Sequence, residues 1–443
     1  MRTAANAFPL AISRLPAKPN GHHPGWLNML RRSALQWVSE RGFPTAKDEA
    51  WKYTRVAPIL EIPFKPAEPG ASRWRSAAAL DQRAGALGGP RLVFVNGYFA
   101  PELSPLKSLP PGLRITNLAS ALLEDDRTIE PLFSRSLHEH LNGFTALNAA
   151  LAEDGAFVSI PAGTTIEEPI HLIFLSDTGG TPLVSHPRTL VLAGPGSRAT
   201  IVETHAGILG DVYLTNAVTE VVLEEGALVE HYKVQNETET AFHVALLSVR
   251  QGRGSRFSAH SLALGSSIAR HEVKVALEAP GAEVVLNGLF LPEGKQHLDN
   301  PTTVEHAAPQ CMSRQLFKGV VDGHGRGVFD GLIFVREGAF KTDARQTNKN
   351  LLLSESAQVD TRPRLQIFAD DVKCTHGATV GQLAEEAVFY LRSRGIPAGA
   401  ARGLLTYAFA NEMLGLIRIE PLRSHVEKLV AWRLGMGSRE TAA

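Results

Sequence analysis

Apolar and polar positions follow two different periods along the chain and divide it into four predicted regions. Residues 1–25 are rich in Pro, Gly and Ala without periodicity, which is typical of a flexible arm. Apolar residues recur at helical spacing in much of 26–154 and again in 383–443, which predicts a mostly helical N-terminal domain and a C-terminal helical domain. Over residues 155–382, short runs of β-branched and apolar residues alternate with turns, which predicts a β core.

Turn-like glycines recur in the β core at a nearly constant interval. Gly196, Gly226, Gly254 and Gly281 are 30, 28 and 27 residues apart by subtraction. A period of this size without intervening helices favours a β-helix, in which stacked coils share one core. A sandwich of antiparallel strands stays open, because the pattern does not settle which strands pair. The period ends after Gly281, and the polar segment 291–310 is predicted to protrude as a loop or hairpin.

The composition narrows the possible function classes. Lys+Arg and Asp+Glu both count 45 in the 443 residues, so the net charge of zero argues against a nucleic-acid binder that depends on counterion release. The two cysteines, Cys311 and Cys374, argue against a disulfide scaffold and fit a reducing compartment. The first apolar stretch is broken by Pro9 and Ser13, and no run approaches the ~20 apolar residues that span a bilayer. We therefore expect a cytoplasmic protein without a membrane partner.

One cysteine stands two positions before a histidine, in the triplet Cys374-Thr375-His376. Positions i and i+2 of a strand face the same side, roughly 6.5–7 Å apart along the strand. A thiolate and an imidazole placed in this way could reach one metal cluster. The alternative is a purely structural pair, because Cys is among the most buried residue types.

A second polar set lies on the expected protrusion. His297, Asp299, Glu305 and His306 could assemble a His/carboxylate metal site, which would make the chain a stand-alone β-helix metalloenzyme.

Three amide side chains alternate further along the chain. Gln346, Asn348 and Asn350 would point the same way in a strand and either form a ladder between stacked coils or contact a substrate or partner.

The segment GLFLPEGK departs from the P-loop spacing, and GxSxG, HExxH and paired CxxC motifs are missing. No ATPase or complete nucleophile–base set is therefore expected in this chain.

Three segments are informative through their whole sequences and not only through the spacing of individual residues. The sequences FPTAKDEAWKYT, KTDARQTNKNLLLS and VDTRPRLQIFADDVKCTHGATVGQLAEEAVFYLRSRGI resemble the SufD family of iron–sulfur cluster assembly proteins. The similarity extends from about residue 43 to the C-terminal helices, and the last segment differs from its counterpart in the sister family SufB.

The resemblance implies a mainly β fold, with a right-handed parallel β-helix core between N- and C-terminal helical domains. It implies a non-catalytic scaffold subunit that pairs with SufB and with two copies of the SufC ATPase, which binds the ATP. The subunit would build and hold a transient iron–sulfur cluster at the SufB interface and assist iron acquisition. Some relatives pair with themselves when SufB is absent.

The resemblance also implies roles for particular residues. His376, with Cys374 beside it, would contribute ligands on the β-helix edge at 370–380, where SufB pairs. The SufC docking surface would lie on the C-terminal helices, at Leu404, Leu405, Phe409 and Met413. Because a cluster generally takes about four protein ligands, SufB would supply the rest, with its own cysteine as the natural donor. ATP-driven SufC dimerisation would open this interface to iron and persulfide sulfur.

Overall fold

The computed structural model describes residues 24–436 except 71, 75, 107, 108, 125 and 140, so the predicted arm at 1–25 lies almost wholly outside the described residues. Helices occur in the first and last parts of the chain, as the apolar pattern predicts. The first helix ends at Arg41, and Gly42 adopts the positive φ of 71° expected of a helix C-cap. The helices are α1 Gly25–Arg41, α2 Ala57–Leu60, α3 Ala77–Ala84, α4 Leu118–Glu124, α5 Asp126–Glu139, α6 Gly143–Leu151, α7 Glu385–Ser393, α8 Ala398–Leu414 and α9 Glu420–Arg433, with 3-10 turns at Glu49–Trp51 and Pro101–Leu103.

The N-terminal part also contributes strands, which close the first end of the β core. An Asn96-Gly97 turn, with φ of 53° and 85°, joins β2 to β3. The strands are β1 Lys65–Pro66, β2 Arg91–Val95, β3 Tyr98–Phe99, β4 Arg114–Asn117, β5 Ala156–Ile160, β6 Ile170–Ser176, β7 Leu183–Ser185, β8 Arg188–Ala193, β9 Arg198–Gly207, β10 Tyr213–Leu223, β11 Leu228–Asn236, β12 Phe242–Gln251, β13 Arg256–Ala263, β14 Ile268–Leu277, β15 Glu283–Phe290, β16 His297–His306, β17 Met312–Val321, β18 Arg326–Val335, β19 Asp343–Leu352, β20 Gln358–Ile367 and β21 Lys373–Gly381.

Two parallel sheets form a β-helix, which excludes the antiparallel sandwich. The first sheet stacks β5, β8, β10, β12, β14, β16, β18 and β20, and the second stacks β6, β9, β11, β13, β15, β17, β19 and β21. One strand of each sheet makes one coil, so the described residues form eight coils. Inward-facing residues stack in register, as in the column Val221, Val249, Val275 and Val304, and fill a continuous apolar core.

Helices from the two ends of the chain cover opposite outer faces of this β-helix. Phe144 and Leu147 of α6 pack with Leu214 and Val244 on the first sheet. Helices α8 and α9 pack on the second sheet, where their apolar residues meet the outward-facing side chains of β9, β11, β13, β15 and β17. Each of these helices packs one side on the β-helix, so its apolar residues recur at helical spacing. This packing also supplies most of the stability of the helices.

The turn period continues beyond Gly281, which corrects the prediction that it ends there. The same turn recurs at Gln310, Lys341 and Asp371, with φ of 59°, 58° and 53°. The backbone N–H groups of Gln310 and Lys341 donate to carbonyls of the next coil, those of Phe340 and Asp371. The left-handed conformation is preserved while glycine is lost, so a search for glycine misses the last three turns.

The segment 291–310 is largely a strand, and the prediction of a protruding loop is wrong. Residues His297–His306 form β16, which pairs with β14 and β18 inside the first sheet. Pro301 disfavours a central strand because proline has no N–H to donate. Pairing with β14 is interrupted around Asn300 and Pro301 and resumes at Thr302, which accommodates the proline.

Candidate functional site

The last coil, formed by β20 and β21, leaves both sheets with an open edge. Strand β20 pairs only with β18 and β21 only with β19 among the described residues. Most of β21 is exposed to solvent, and most of β20 is half-buried. An open parallel edge presents unpaired backbone N–H and C=O groups that a further strand could use. We call β20 and β21 the terminal coil.

Cys374 and His376 lie on the inward-facing side of this terminal coil. The register pairs Cys374 with Ala344 and His376 with Gln346, both of which are buried on the inner face of β19. Cys374 is half-buried against a small apolar cluster that includes Ala344, and burial raises the pKa of its thiol. His376 is exposed. The structure therefore places the two predicted ligands on one face, at the open end of the β-helix.

The surface directly beneath His376 is polar. Gln346, Asn348 and Asn350 are buried on one face of β19, as their alternation predicts. Asn350 Nδ2 donates to Oδ1 of Asn348 at 2.5 Å, so these two amides satisfy each other in part. In contrast, neither side-chain polar atom of Gln346 has a hydrogen-bond partner among the described residues. The Gln346 amide lies over Gly331, where a Cβ atom would come within 2.2 Å of Nε2.

The segment FPTAKDEAWKYT, residues 43–54, which we call the N-terminal signature, packs against the outside of this coil. Arg362 of β20 bonds to Asp330 of β18 and to Glu49, and its guanidinium carbon lies 5.5 Å from the centroid of the Tyr53 ring. The bonds to Asp330, followed by those to Glu49, raise the pKa of Arg362 above its ordinary value. Arg364 Nε also donates to Asp330, at 3.0 Å. Two segments that carry the family resemblance are thus in contact.

Apolar side chains are exposed around the terminal coil. Phe368 is 62 % exposed in the turn between β20 and β21, and Phe340 is 52 % exposed in the turn between β18 and β19 of the preceding coil. Val380, at the end of β21, and Ile367, at the end of β20, are also exposed. Exposed apolar residues next to an open sheet edge are typical of a protein–protein contact.

The second predicted metal set is not brought together, which corrects that interpretation. His297 and His306 stand at opposite ends of β16, roughly 30 Å apart at ~3.3 Å per residue. Glu305 points outward and pairs with Arg336, whereas His306 points inward and bonds to Ser313. Burial lowers the pKa of His306 to about 4. The geometry therefore does not support a metalloenzyme built on these residues.

Asp299, the fourth residue of that predicted set, makes contacts within the chain that hold parts of the fold together. Its carboxylate forms a buried ion pair with Arg270 and accepts a hydrogen bond from Thr54 at 2.5 Å. The guanidinium carbon of Arg270 lies 4.0 Å from the centroid of the Trp51 ring. These contacts attach the N-terminal signature to the β-helix and engage Oδ2 of the carboxylate, whereas Oδ1 has no hydrogen-bond partner among the described residues.

The residues predicted to dock an ATPase differ in exposure. Met413 is 5 % exposed and belongs to the chain's own core between α8 and the second sheet, rather than to an exposed face. Phe409 is half-buried and packs with Lys318, whose Nζ lies 4.3 Å from the ring centroid. Leu404 is exposed and Leu405 half-buried.

The neighbouring helix α7 exposes a larger apolar area, which sequence reasoning missed. Phe389 is 71 % exposed and Tyr390 is also exposed, while Val388 alone is buried among the residues of α7. The apolar pattern predicts one helical face through Leu383, Ala387, Tyr390 and Leu391. Tyr390 on that face is exposed to solvent. The signal available in the sequence was the aromatic pair itself, on a helix too short to bury two faces.

Comparison with known proteins agrees with the resemblance found in the sequence. Residues 174–409 match the family model described as SUF system FeS cluster assembly, SufBD core domain, and residues 18–172 match the SufBD protein N-terminal region. The chain is 34 % identical to an iron–sulfur cluster assembly SufBD family protein of Synechocystis, over 91 % of this chain and 90 % of that protein. It is 33 % identical to the iron–sulfur cluster assembly protein SufD of Escherichia coli, over 91 % and 92 %. None of the described helices is both long and apolar enough to span a membrane.

Proposed function

The chain belongs to the SufBD family and has a role in SUF iron–sulfur cluster assembly, and from this premise we propose that it is a non-catalytic scaffold subunit whose terminal coil pairs with SufB. In this proposal His376 and Cys374 supply ligands from this chain while a cluster is built at the joint surface. The cluster is the product that the complex assembles, and no resident cofactor is required of this chain.

The observation that carries the proposal is the position of His376 at an open end of the β-helix. Strand addition to an open edge gives a partner main-chain hydrogen bonds, and the exposed Phe340 and Phe368 add apolar contact area. A strand from SufB on β21 would bring its side chains next to His376. This arrangement supplies the second polypeptide that a chain with one imidazole and one thiolate needs for about four ligands.

Cys374 and His376 are expected to contribute unequally. Burial raises the pKa of Cys374, which disfavours the thiolate that binds metal, and part of the side chain is occupied in the apolar cluster with Ala344. His376 is exposed and needs no rearrangement to meet a ligand. We therefore assign His376 the indispensable role and Cys374 a supporting one.

The same open edge also fits a second copy of this chain when SufB is absent. Two terminal coils could add to each other by the same backbone contacts, because strand addition does not depend on a particular partner sequence. Formation of such a homodimer is therefore compatible with the proposal, and SufB should displace it.

The ATP needed by the complex would be bound by SufC, docked on the C-terminal helices. Because Met413 is buried and Phe409 half-buried, we place the contact on Leu404 together with Phe389 and Tyr390 of α7. These side chains are exposed, and packing of α7 against α8 joins them into one region.

The test is anaerobic reconstitution with purified partners. The full chain is co-expressed with SufB and SufC, the complex is sized, and bound iron and sulfide are measured after incubation with iron, a sulfur donor and ATP. His376→Ala should leave the complex intact, because His376 is exposed, and should reduce bound iron and sulfide at least tenfold. Cys374→Ser should have a smaller effect.

His324→Ala is the matched control, since His324 is an exposed histidine in the turn between β17 and β18. Normal iron and sulfide are expected in this variant. Normal cluster assembly in the His376→Ala complex would show that His376 is only structural. Failure of the wild-type chain to bind SufB would contradict the assignment of the terminal coil.

A further inference from the structure

A group of potential metal ligands is enclosed in the β-helix, far from the terminal coil. His205 lies on β9, Glu237 follows β11 directly, and His243 lies on β12. All three are buried, and one ligand atom from each lies within 4.8 Å of the others. They come from three successive coils, at the corner where the second sheet leads into the first. We call this group the interior triad.

Ring nitrogens of both histidines in the interior triad lack partners. Nδ1 of His205 and Nε2 of His243 have no hydrogen-bond partner anywhere in the described chain. Nδ1 of His243 lies 2.8 Å from Glu237 Oε2 but without hydrogen-bond geometry. Buried polar groups are normally satisfied, so several unsatisfied nitrogens around one carboxylate require an explanation.

The remaining atoms of the triad are held by neighbouring side chains. Nε2 of His205 lies 2.7 Å from Glu203 Oε1, which leaves Nδ1 available. Thr215 donates to Oε1 of Glu237 at 2.8 Å, and Gln235 donates to Oε2 at 2.9 Å. Hydrogen bonds from outer residues that fix a histidine and a carboxylate in this way are typical of the surroundings of metal ligands.

The charges around the triad are unequal. Glu203 lies 3.5 Å from Lys233, so one buried carboxylate has a basic side chain beside it. Within the described ranges, no Lys or Arg nitrogen lies within 4.0 Å of the Glu237 carboxylate, whose ion-pair partner is His243. Buried charges are stable only when paired, and a cation between Glu237 and the two imidazoles would provide the pairing.

We propose that His205, Glu237 and His243 bind one divalent first-row transition-metal ion inside the β-helix. Two imidazoles and one carboxylate form a donor set that suits Zn²⁺ and Fe²⁺. Metal bonds of about 2.1 Å place tetrahedral ligands about 3.4 Å apart. On binding, the contact of 2.8 Å between His243 Nδ1 and Glu237 Oε2 would widen, and longer separations in the triad, which reach up to 4.8 Å, would shorten. The ion would tie together the second, third and fourth coils of the β-helix.

This site is separate from the cluster-building surface. His205 and Val380 belong to one register column, six strand steps apart, which is roughly 29 Å at ~4.8 Å per step. Phe290 and Ala263 lie between them in that column. The interior ion therefore does not contribute to the ligands near His376, and its binding does not depend on the proposed scaffold function.

The experiment measures metal in the purified full chain. Cells expressing the protein alone are grown with added Zn²⁺ in one arm and Fe²⁺ under anaerobic conditions in the other, and metal per chain is determined after desalting with EDTA. We expect close to one ion per chain in at least one arm, resistant to EDTA because the site is enclosed. In Glu237→Gln and His243→Gln the content should fall at least tenfold.

His306→Gln is the matched control, because His306 is also a buried histidine of the interior but has Ser313 as its partner. It should retain the metal. The proposal is overturned if the wild-type chain holds less than a tenth of an ion in both arms, or if the triad variants hold as much as the wild type.

A spectroscopic measurement covers the case in which the triad variants do not fold. The wild-type chain is loaded with Co²⁺ during expression, and its absorption spectrum is recorded. A site of two imidazoles and one carboxylate gives visible cobalt bands without a thiolate-to-cobalt charge-transfer band. A strong charge-transfer band would assign the ion to a cysteine instead and contradict the proposal.

Discussion

Replacement of Arg362 by Met tests how the N-terminal signature supports the terminal coil. Arg362 stands directly opposite Asp330 in the register of β20 and β18, and it also reaches Glu49. Methionine retains most of the side-chain length and removes the charge. Asp330, which is buried, then keeps Arg364 as its remaining basic partner among the described residues.

The expected loss follows from the burial of the two partners. Hydrogen bonds to charged groups contribute about 1.5–3 kcal/mol each, and the carboxylate of Asp330 is largely removed from water. The contact with the exposed Glu49 is left out of this figure because solvent screens it. Since Arg364 remains, we expect the free energy of opening of β20 to fall by about 2 kcal/mol, which corresponds to roughly 30-fold faster amide exchange.

The assay is hydrogen exchange followed by mass spectrometry on peptides that cover β18 to β21. Arg326→Met is the matched control, because Arg326 joins the same two strands through Asp360 at 2.6 Å, but both partners are partly exposed. An exposed pair contributes about 0–1 kcal/mol, so exchange should accelerate less than about fivefold. Equal acceleration in the two variants would refute the argument that burial of Asp330 makes Arg362 the stronger tie.

Two further predictions follow from the burial of individual side chains. Met413→Ala should lower the free energy of unfolding by about 2–5 kcal/mol in denaturant titrations. Leu404→Glu should change the free energy of unfolding by less than about 0.5 kcal/mol and should weaken SufC binding in a pull-down assay. Equal stability of the two variants would contradict the packing of Met413 under α8. Burial, followed by repulsion from Arg91, lowers the pKa of His171 to about 3. His171 therefore stays neutral in the folded chain at pH 5, whereas in the unfolded chain it becomes protonated below pH 6.5. Lowering the pH from 7.5 to 5.0 should therefore cost the wild type about 2 kcal/mol more than His171→Gln, and equal losses would show that His171 is protonated in the fold.

The architecture of the β core could be predicted because its coils repeat. Gly196, Gly226, Gly254 and Gly281 occupy one column of turns with positive φ, and the sequence reports that column wherever glycine is used. Gln310, Lys341 and Asp371 adopt the same conformation and tolerate its cost because hydrogen bonds to neighbouring coils fix the backbone. In these last turns hydrogen bonds between coils hold a conformation that glycine favours in the earlier turns. The repeat can therefore be recognised in the sequence only as far as Gly281.

The candidate site could be predicted only in part. The triplet at Cys374 places both side chains on one face through strand alternation alone. The contact of Arg362 with Glu49 could not be predicted, because it joins residues 313 positions apart through packing of the N-terminal signature on β20. The segment around Pro301 was misread for a related reason, since its polar residues suggest solvent while their partners, such as Gln315 for Thr302, lie inside the β-helix.

The two ends of the β-helix are unequal, and this difference supports the proposal that the terminal coil binds a partner. At the first end, β4 pairs antiparallel with β5, and β2 and β3 extend the other sheet. Solenoids need such caps because an open coil exposes both its inner face and its backbone. At the last end no described strand continues either sheet, and the residues beneath His376 are polar, with the Gln346 amide unsatisfied. An apolar cap would leave that amide buried without a partner, so the terminal coil fits a partner that brings hydrogen-bonding groups as well as a strand.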